Sequence, residues 1–271
     1  MKFFKNKKFL IAEAGINHGG KLKQALKLVD VAKKNGADAV KFQTYITEKR
    51  TKKNSPIYEI LKKCELKNKE FEIINNYCKA RKIIFFSTPF DKESVWFLNS
   101  LKVKLFKIAS FDISNYQLIK EIIKTKKPTI ASTGMANFFE IKKIYNFFKK
   151  KKIELALLHC ISSYPNKEEN SYLSNINFLK DKFNCPVGLS DHTNGIKIPI
   201  YAYLLGSRII EKHIKISSKH KCIDSPVSID PNQIKSLSLE MQKIDKILGK
   251  VKFGIRKEEK SIKQFKRYKI L

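Results

Sequence analysis

A short β-rich run followed by an amphipathic helical pattern recurs eight times along this chain, and that recurrence leaves few folds open. Strands are predicted at 9–14, 39–44, 83–88, 105–110, 128–132, 153–159, 186–190 and 208–213. Their runs (FLIAEA, AVKFQT, IIFFST, LFKIAS, PTIAS, IELALLH, PVGLS, RIIEKH) are largely apolar instead of cleanly alternating, as expected when helices cover a parallel sheet. The clearest intervening helix is predicted over 21–34, where Leu22, Ala25, Leu26, Val29 and Ala32 share one face and lysines fill the other. The last helix repeats the stripe with Ile234, Leu237, Met241, Ile244 and Leu248, and Asp230 before Pro231 supplies its N-cap and first turn. Asn137 with Glu140, and Ser114 with Gln117, read as capping boxes.

Eight such units in 271 residues average about 34 each, which fits a (β/α)8 barrel of roughly 250 residues. The barrel is predicted over 1–250, with 251–271 as a basic tail. An open doubly wound sheet has the same element order but calls for a GxGxxG turn after the first strand. Here Gly15, Gly19 and Gly20 flank Asn17 and His18 instead. The longest irregular insertion, 45–66, contains Pro56 and many lysines, and reads either as a lid over the barrel mouth or as a plain surface excursion.

Composition excludes several function classes. The 56 Lys and Arg against 25 Asp and Glu give a formal charge of +31, which invites a nucleic-acid role. The lysines, however, are spread through every helical segment, with no aromatic-interleaved stripe, so they read as solvated helix faces that draw small anions inward. No specific nucleic-acid partner is expected. No apolar stretch reaches the length of a membrane span, and the basic start meets Glu13 after a four-residue apolar run, too short for a secretory signal. The expectation is a cytoplasmic protein without membrane insertion. Five cysteines at 64, 78, 160, 185 and 222 form no CxxC pair and read as reduced thiols, with Cys160 and Cys185 as small buried hydrophobes.

In a barrel of this kind chemistry gathers where the strands end. Strand one ends in Glu13, Asn17 and His18; strand two carries Lys41, Gln43 and Thr44; strand three ends in Ser87 and Thr88. Lys107, Ser110 and Asp112 follow on strand four, and Ser132 and Thr133 on strand five. His159, Ser162, Ser163 and Tyr164 end strand six, Ser190, Asp191, His192 and Thr193 strand seven, and Glu211, Lys212 and His213 strand eight. Four of five histidines therefore fall at one end, with His220 shortly after. His192 and His213 on adjacent strands are placed to hold one divalent metal with Glu13 nearby, and Mn²⁺, Mg²⁺, Zn²⁺ and Fe²⁺ all suit such donors. An acid–base or hydrogen-bonding cluster and a structural role are the alternatives. Lys41 and Lys107 sit in apolar surroundings and need anionic partners. A phosphate and a carboxylate of a substrate, ringed by Thr88, Ser110, Ser132 and Ser190, would serve; so would Glu13 or Asp112 within the barrel. Schiff-base chemistry is a third option.

The runs IAEAGINHGG (11–20), GADAVKFQTY (36–45), FFSTPFD (85–91), FKIASFDISN (106–115), ASTGMA (131–136), GLSDHT (188–193) and IEKHI (210–214) together resemble the sialic acid synthase family, in order and over almost the whole chain. The resemblance implies a (β/α)8 barrel that condenses phosphoenolpyruvate with an N-acetylated amino sugar in the presence of a divalent metal, Mn²⁺ or Mg²⁺. It casts His192 and His213 as metal ligands, and Glu13, Asp112 and Lys107 as catalytic residues. Lys41, Thr88, Lys107, Ser110, Ser132 and Ser190 would hold phosphoenolpyruvate, with Gln43, Asp112, Ser162, Tyr164 and Asp224 completing the substrate site. Phe111 before Asp112, and Ser225 after Asp224, resemble the pseudaminate and legionaminate branches and favour a 2,4-diacetamido hexose over N-acetylmannosamine. The resemblance also implies a homodimer and a small antifreeze-like domain, which this sequence lacks and would meet as a separate piece if it has one. A noncatalytic sugar- or anion-binding barrel and a related 3-deoxy sugar-acid synthase or aldolase are the competing readings.

Overall fold

The computed structural model describes residues 3, 4 and 8–267, so the last four residues of the predicted tail and parts of the basic start lie outside the described residues. All eight predicted strands form: β1 (Phe9–Gly15), β2 (Ala39–Thr44), β3 (Ile84–Pro89), β4 (Phe106–Ile108), β5 (Thr129–Ser132), β6 (Leu155–Cys160), β7 (Val187–Asp191) and β8 (Ile209–His213). They pair in parallel in the order β3-β2-β1-β8-β7-β6-β5-β4, and β3 and β4 at the two ends of that order lie within 8 Å of each other. The result is a nearly closed (β/α)8 barrel. Strand four is shorter than the predicted 105–110, because the chain turns into a 3₁₀ segment at Ser110–Asp112 in which Asp112 N–H donates to the Ala109 carbonyl at 3.0 Å.

Alternation along each strand explains the apolar runs. One set of side chains (Leu10, Ala12, Val40, Phe42, Leu157, Ile210) packs outward against helical residues such as Ala25, Leu28 and Val29 of α1 (Leu22–Lys34). The other set (Ile11, Ala39, Phe86, Leu105, Ile130, Leu158, Ile209) fills the barrel interior together with Phe4. Phe4 is fixed there by Glu154, whose carboxylate accepts from the backbone N–H of Phe3 and Phe4 at 2.6 and 2.9 Å. Gly188 sits where β7 approaches β8 so closely that a Cβ would run into the Ile209 carbonyl.

The predicted cap at Asn137 holds: its Oδ1 accepts from Glu140 N–H at 3.0 Å, and the Glu140 carboxylate accepts from Asn137 N–H in return at 2.9 Å, opening the helix Phe138–Lys150. Asp230 likewise caps the last helix, Pro231–Leu248, by accepting from Gln233 N–H at 3.0 Å. The cap expected at Ser114 lies one residue on, at Asn115, whose Oδ1 accepts from Leu118 N–H, while the Ser114 hydroxyl is drawn to Glu140. The insertion 45–66 is not irregular. It carries α2 (Thr47–Arg50) and α3 (Tyr58–Cys64), tied down by Tyr45 Oη donating to the Leu61 carbonyl at 2.9 Å and by burial of Ile16, Tyr45, Leu61 and Cys64 together. Gly20 (φ +74) lies against the Lys63 backbone, leaving no room for a side chain. Among the described residues no helix is long and apolar enough to cross a membrane, and those from 251 to 267 are exposed.

Candidate active site

The inner-facing residue two positions beyond each hydrocarbon layer residue is polar, or cysteine. Ile11 is followed by Glu13, Ala39 by Lys41, Phe86 by Thr88, Leu105 by Lys107, Ile130 by Ser132, Leu158 by Cys160, and Ile209 by Glu211. All of them, with Ser190, line one open cavity at the C-terminal mouth, with a volume of about 230 Å³. The strand period that builds the floor therefore also builds the site.

Charge in this layer is buried and mutually compensated. Lys41 Nζ lies 2.9 Å from Glu13 Oε2 and 3.5 Å from Glu211 Oε2, and donates to Thr88 Oγ1 at 3.2 Å. Lys107 Nζ lies 3.8 Å from Glu211 Oε1 and donates to Ser132 Oγ at 2.6 Å and to the Ile108 carbonyl at 3.0 Å. Ser190 Oγ donates to Glu211 Oε1 at 2.8 Å. Both lysines thus meet Glu211, a residue that sequence reading left without a role, and neither ion-pairs with Asp112. Burial acting alone would raise the Glu211 pKa, but Lys107 and Lys41 outweigh it and hold that carboxyl down at about 2. Glu13 goes the other way: burial raises it, Lys41 opposes, and the neighbouring Glu211 charge adds to the rise. The two carboxyls are thus pushed in opposite directions by their surroundings.

Beside this layer stand the two histidines. The rings of His192 and His213 are 5.6 Å apart, and Tyr164 lies 4.0 Å from the His192 ring. His192 Nδ1 is engaged with the Ile161 carbonyl at 2.7 Å, which leaves Nε2 available. Burial first, then the His213 charge, depress the His192 pKa to about 4, so the ring is neutral. His213 Nδ1 is buried 3.3 Å from Asp224 Oδ2 without an aligned hydrogen bond. Burial disfavours the charged His213 ring, yet Asp224 and then Glu13 more than offset this and raise its pKa. Two oriented imidazoles, one with an orphaned buried nitrogen, suit an open divalent-metal site with oxygen ligands completing the shell. Among the described residues no group of three or more His, Cys, Asp or Glu comes together to hold a metal ion, so the protein's share of such a site is this pair of imidazoles.

Of the residues singled out from sequence, Glu13, Lys41, Gln43, Thr88, Lys107, Ser110, Ser132, Tyr164, Ser190, His192, His213 and Asp224 all line the cavity. Two do not. Asp112 sits on the 3₁₀ turn outside the cavity lining, accepting from Asn115 Nδ2 at 2.9 Å, and Ser162 also lies outside it, its hydroxyl 2.9 Å from that of Ser110. The four histidines do lie at this end of the barrel, but only His192 and His213 line the cavity. His159 points away from the barrel axis to the Ser171 carbonyl at 2.7 Å, and His18 packs near Phe42 with Nδ1 accepting from Gly20 N–H. Cys160 is buried as expected but forms part of the cavity wall, whereas Cys185 is only half-buried. Sequence reading named Glu211 without giving it a role and did not single out Arg50 or Phe90. Glu211 was signalled by its place two residues before His213 on a strand; Arg50 carried no local signal.

The family model described as NeuB family matches residues 28–253. The chain is 38% identical to N,N'-diacetyllegionaminic acid synthase of Campylobacter jejuni, the match covering 94% of this chain and 80% of that protein. It is 36% identical to pseudaminic acid synthase of the same species, with 95% and 79% covered. Among solved structures it superposes on N-acetylneuraminic acid synthetase of Leptospira borgpetersenii with a TM-score of 0.92 and 39% identity, covering 96% of this chain and 91% of that one.

Proposed function

The chain belongs to the NeuB family, and from that membership we propose that it condenses phosphoenolpyruvate with an N-acetylated amino sugar, giving a nonulosonic acid and inorganic phosphate. The acceptor in this reading is a 2,4-diacetamido hexose ahead of N-acetylmannosamine. The observation that carries the proposal is the pair of buried lysines joined by Glu211 directly beside His192 and His213 in one cavity.

Lys107 with Ser110, Ser132 and Ser190, and Lys41 with Thr88, hold the phosphate and carboxylate of phosphoenolpyruvate by charge-assisted hydrogen bonds. His192 and His213 would hold the divalent cation, Mn²⁺ or Mg²⁺, whose chemistry when bound would be to polarise the carbonyl oxygen of the open-chain sugar. C3 of phosphoenolpyruvate then bonds to the aldehyde carbon, water adds at C2, and the C2–O bond to phosphate breaks. Glu13, with its raised pKa, carries the proton between the new hydroxyl and the attacking water. The barrel walls align the two reacting carbons and limit water. Gln43, Tyr164 and Asp224 frame the sugar, with Asp112 and Ser162 outside the cavity lining.

A cytoplasmic location, a homodimer, a barrel bounded near residue 250 and an antifreeze-like companion domain belong to the same reading. The test is phosphate release from phosphoenolpyruvate with each candidate sugar, with and without Mn²⁺. Metal-dependent release with one acetamido sugar supports the proposal. Preference for a phosphorylated aldose or for pyruvate would replace it with a 3-deoxy sugar-acid synthase or aldolase. Sugar binding with no release under any condition would leave a noncatalytic barrel.

A further inference from the structure

Arg50 ends α2 and reaches back over the mouth. Its guanidinium carbon lies 3.7 Å from the centre of the Phe90 ring and 4.6 Å from that of Tyr45, so the planar fork is fixed by stacking. Nη1 donates to Gln43 Oε1 at 2.9 Å, and that neutral amide is its only hydrogen-bond partner among the described residues. No carboxylate lies within ion-pair distance of it there. A guanidinium carries five N–H donors. Leaving most of them unused on a half-buried cation in a cavity wall is costly unless a ligand meets them.

The identity of that ligand follows from the surroundings. The anionic substrate already has Lys41 and Lys107 deep in the barrel, and the cavity's volume of about 230 Å³ is below the usual 300 Å³ or more of a small-molecule pocket. The larger second substrate must therefore fill the outer part of this open cavity and extend beyond it, along the wall that Arg50 forms. Two carboxyls stand beside the Gln43 amide that Arg50 meets: Gln43 Nε2 donates to Glu13 Oε1 at 3.5 Å, and the Asp224 and Glu13 carboxylates both face Gly15 next to that amide in the same cavity wall. Beside them a dianionic phosphate meets repulsion, whereas a neutral hydroxyl or carbonyl oxygen accepts from the fork without penalty.

We propose that Arg50 is a substrate-binding residue for the acceptor sugar, donating to a neutral oxygen of that sugar and, with the acids around it, setting the site against phosphorylated acceptors. This rests on the synthase reading above. The experiment uses the full chain with Mn²⁺ and phosphoenolpyruvate, comparing native protein with Arg50→Ala and Arg50→Lys. The acceptors are N-acetylmannosamine, its 6-phosphate and a 2,4-diacetamido hexose. Loss of a hydrogen bond to a charged donor should raise the sugar KM about 10- to 100-fold in Arg50→Ala, with partial recovery in Arg50→Lys and the phosphoenolpyruvate KM held within about twofold. The native protein should favour the unphosphorylated sugar by about tenfold or more in kcat/KM. An unchanged sugar KM, a rise confined to phosphoenolpyruvate, or a preference for the 6-phosphate would each overturn the proposal. Thermal unfolding of both variants separates these effects from loss of fold. If native protein releases no phosphate with any sugar, the synthase reading fails on its own. Calorimetric titration of the same sugars into native and Arg50→Ala protein then decides: weakened binding in the variant upholds the role of Arg50, while equal or absent binding in both refutes it.

Discussion

Replacing Glu211 by Gln keeps the shape of the side chain and an acceptor for Ser190 but removes the anion that two buried lysines share. At an effective dielectric of about 20, its contacts at 3.5 Å to Lys41 and 3.8 Å to Lys107 amount to about 4.7 and 4.4 kcal/mol of attraction. Desolvation of the carboxylate offsets much of that. Removing one partner of a buried ion pair leaves a net loss of about 3–5 kcal/mol, because the remaining ammonium groups stay buried. For a chain of 271 residues this corresponds to a fall in Tm of roughly 6–20 °C. The same change makes the cavity more positive, so phosphoenolpyruvate should bind more tightly and restore more stability to Glu211→Gln than to native protein. Thermal unfolding with and without phosphoenolpyruvate measures both effects. A Tm within 2 °C of native, or a smaller upward shift with phosphoenolpyruvate in the variant, would refute the view of Glu211 as an internal counter-ion standing among the groups that receive the substrate.

Three further outcomes are expected. Glu13→Gln should abolish condensation, measured as phosphate release, while phosphoenolpyruvate binding stays measurable by calorimetry; full turnover would remove Glu13 from proton transfer. His192→Ala should weaken Mn²⁺ binding about tenfold or more, as read by the electron paramagnetic resonance signal of free manganese, and retention of native affinity would separate this ring from the metal. Asn17 is buried and donates through Nδ2 to the Ile214 carbonyl and Ser228 Oγ, both at 2.9 Å, while its Oδ1 accepts from Asp224 N–H at 2.8 Å. Asn17→Ala, which orphans groups worth about 1–3 kcal/mol each, should let the segment carrying Asp224 drift, raising the sugar KM with little change in that for phosphoenolpyruvate. Equal changes in both would make Asn17 a plain stability residue.

The barrel was legible because its signal is periodic and repeated. Strand two matches its predicted bounds at residues 39–44, and the Asn137–Glu140 cap depends on four adjacent residues. The histidine pair was legible because each ring ends a strand and the two strands are neighbours. What failed depended on orientation or on distant contacts. His159 looked equivalent to His192, but its neighbour Cys160 takes the inner face, so alternation turns the imidazole outward. Asp112 follows the end of strand four, and the 3₁₀ turn at Ser110–Asp112 leaves it outside the cavity lining. Arg50 enters the site only because Tyr45 anchors to Leu61 and Phe90 offers a stacking face, relationships that no local pattern encodes.

Lys41, Lys107, Ser132, Ser190 and Glu211 stand on strands, whereas Arg50, Tyr164 and Asp224 hang from the segments that follow them. On the proposed reading, the groups that hold phosphoenolpyruvate are thereby mounted largely on strands, and those that frame the acceptor, Gln43 apart, on the connecting segments. Exchanging the connecting segments between relatives can redirect such a catalyst to another sugar without retuning the machinery that activates the three-carbon donor.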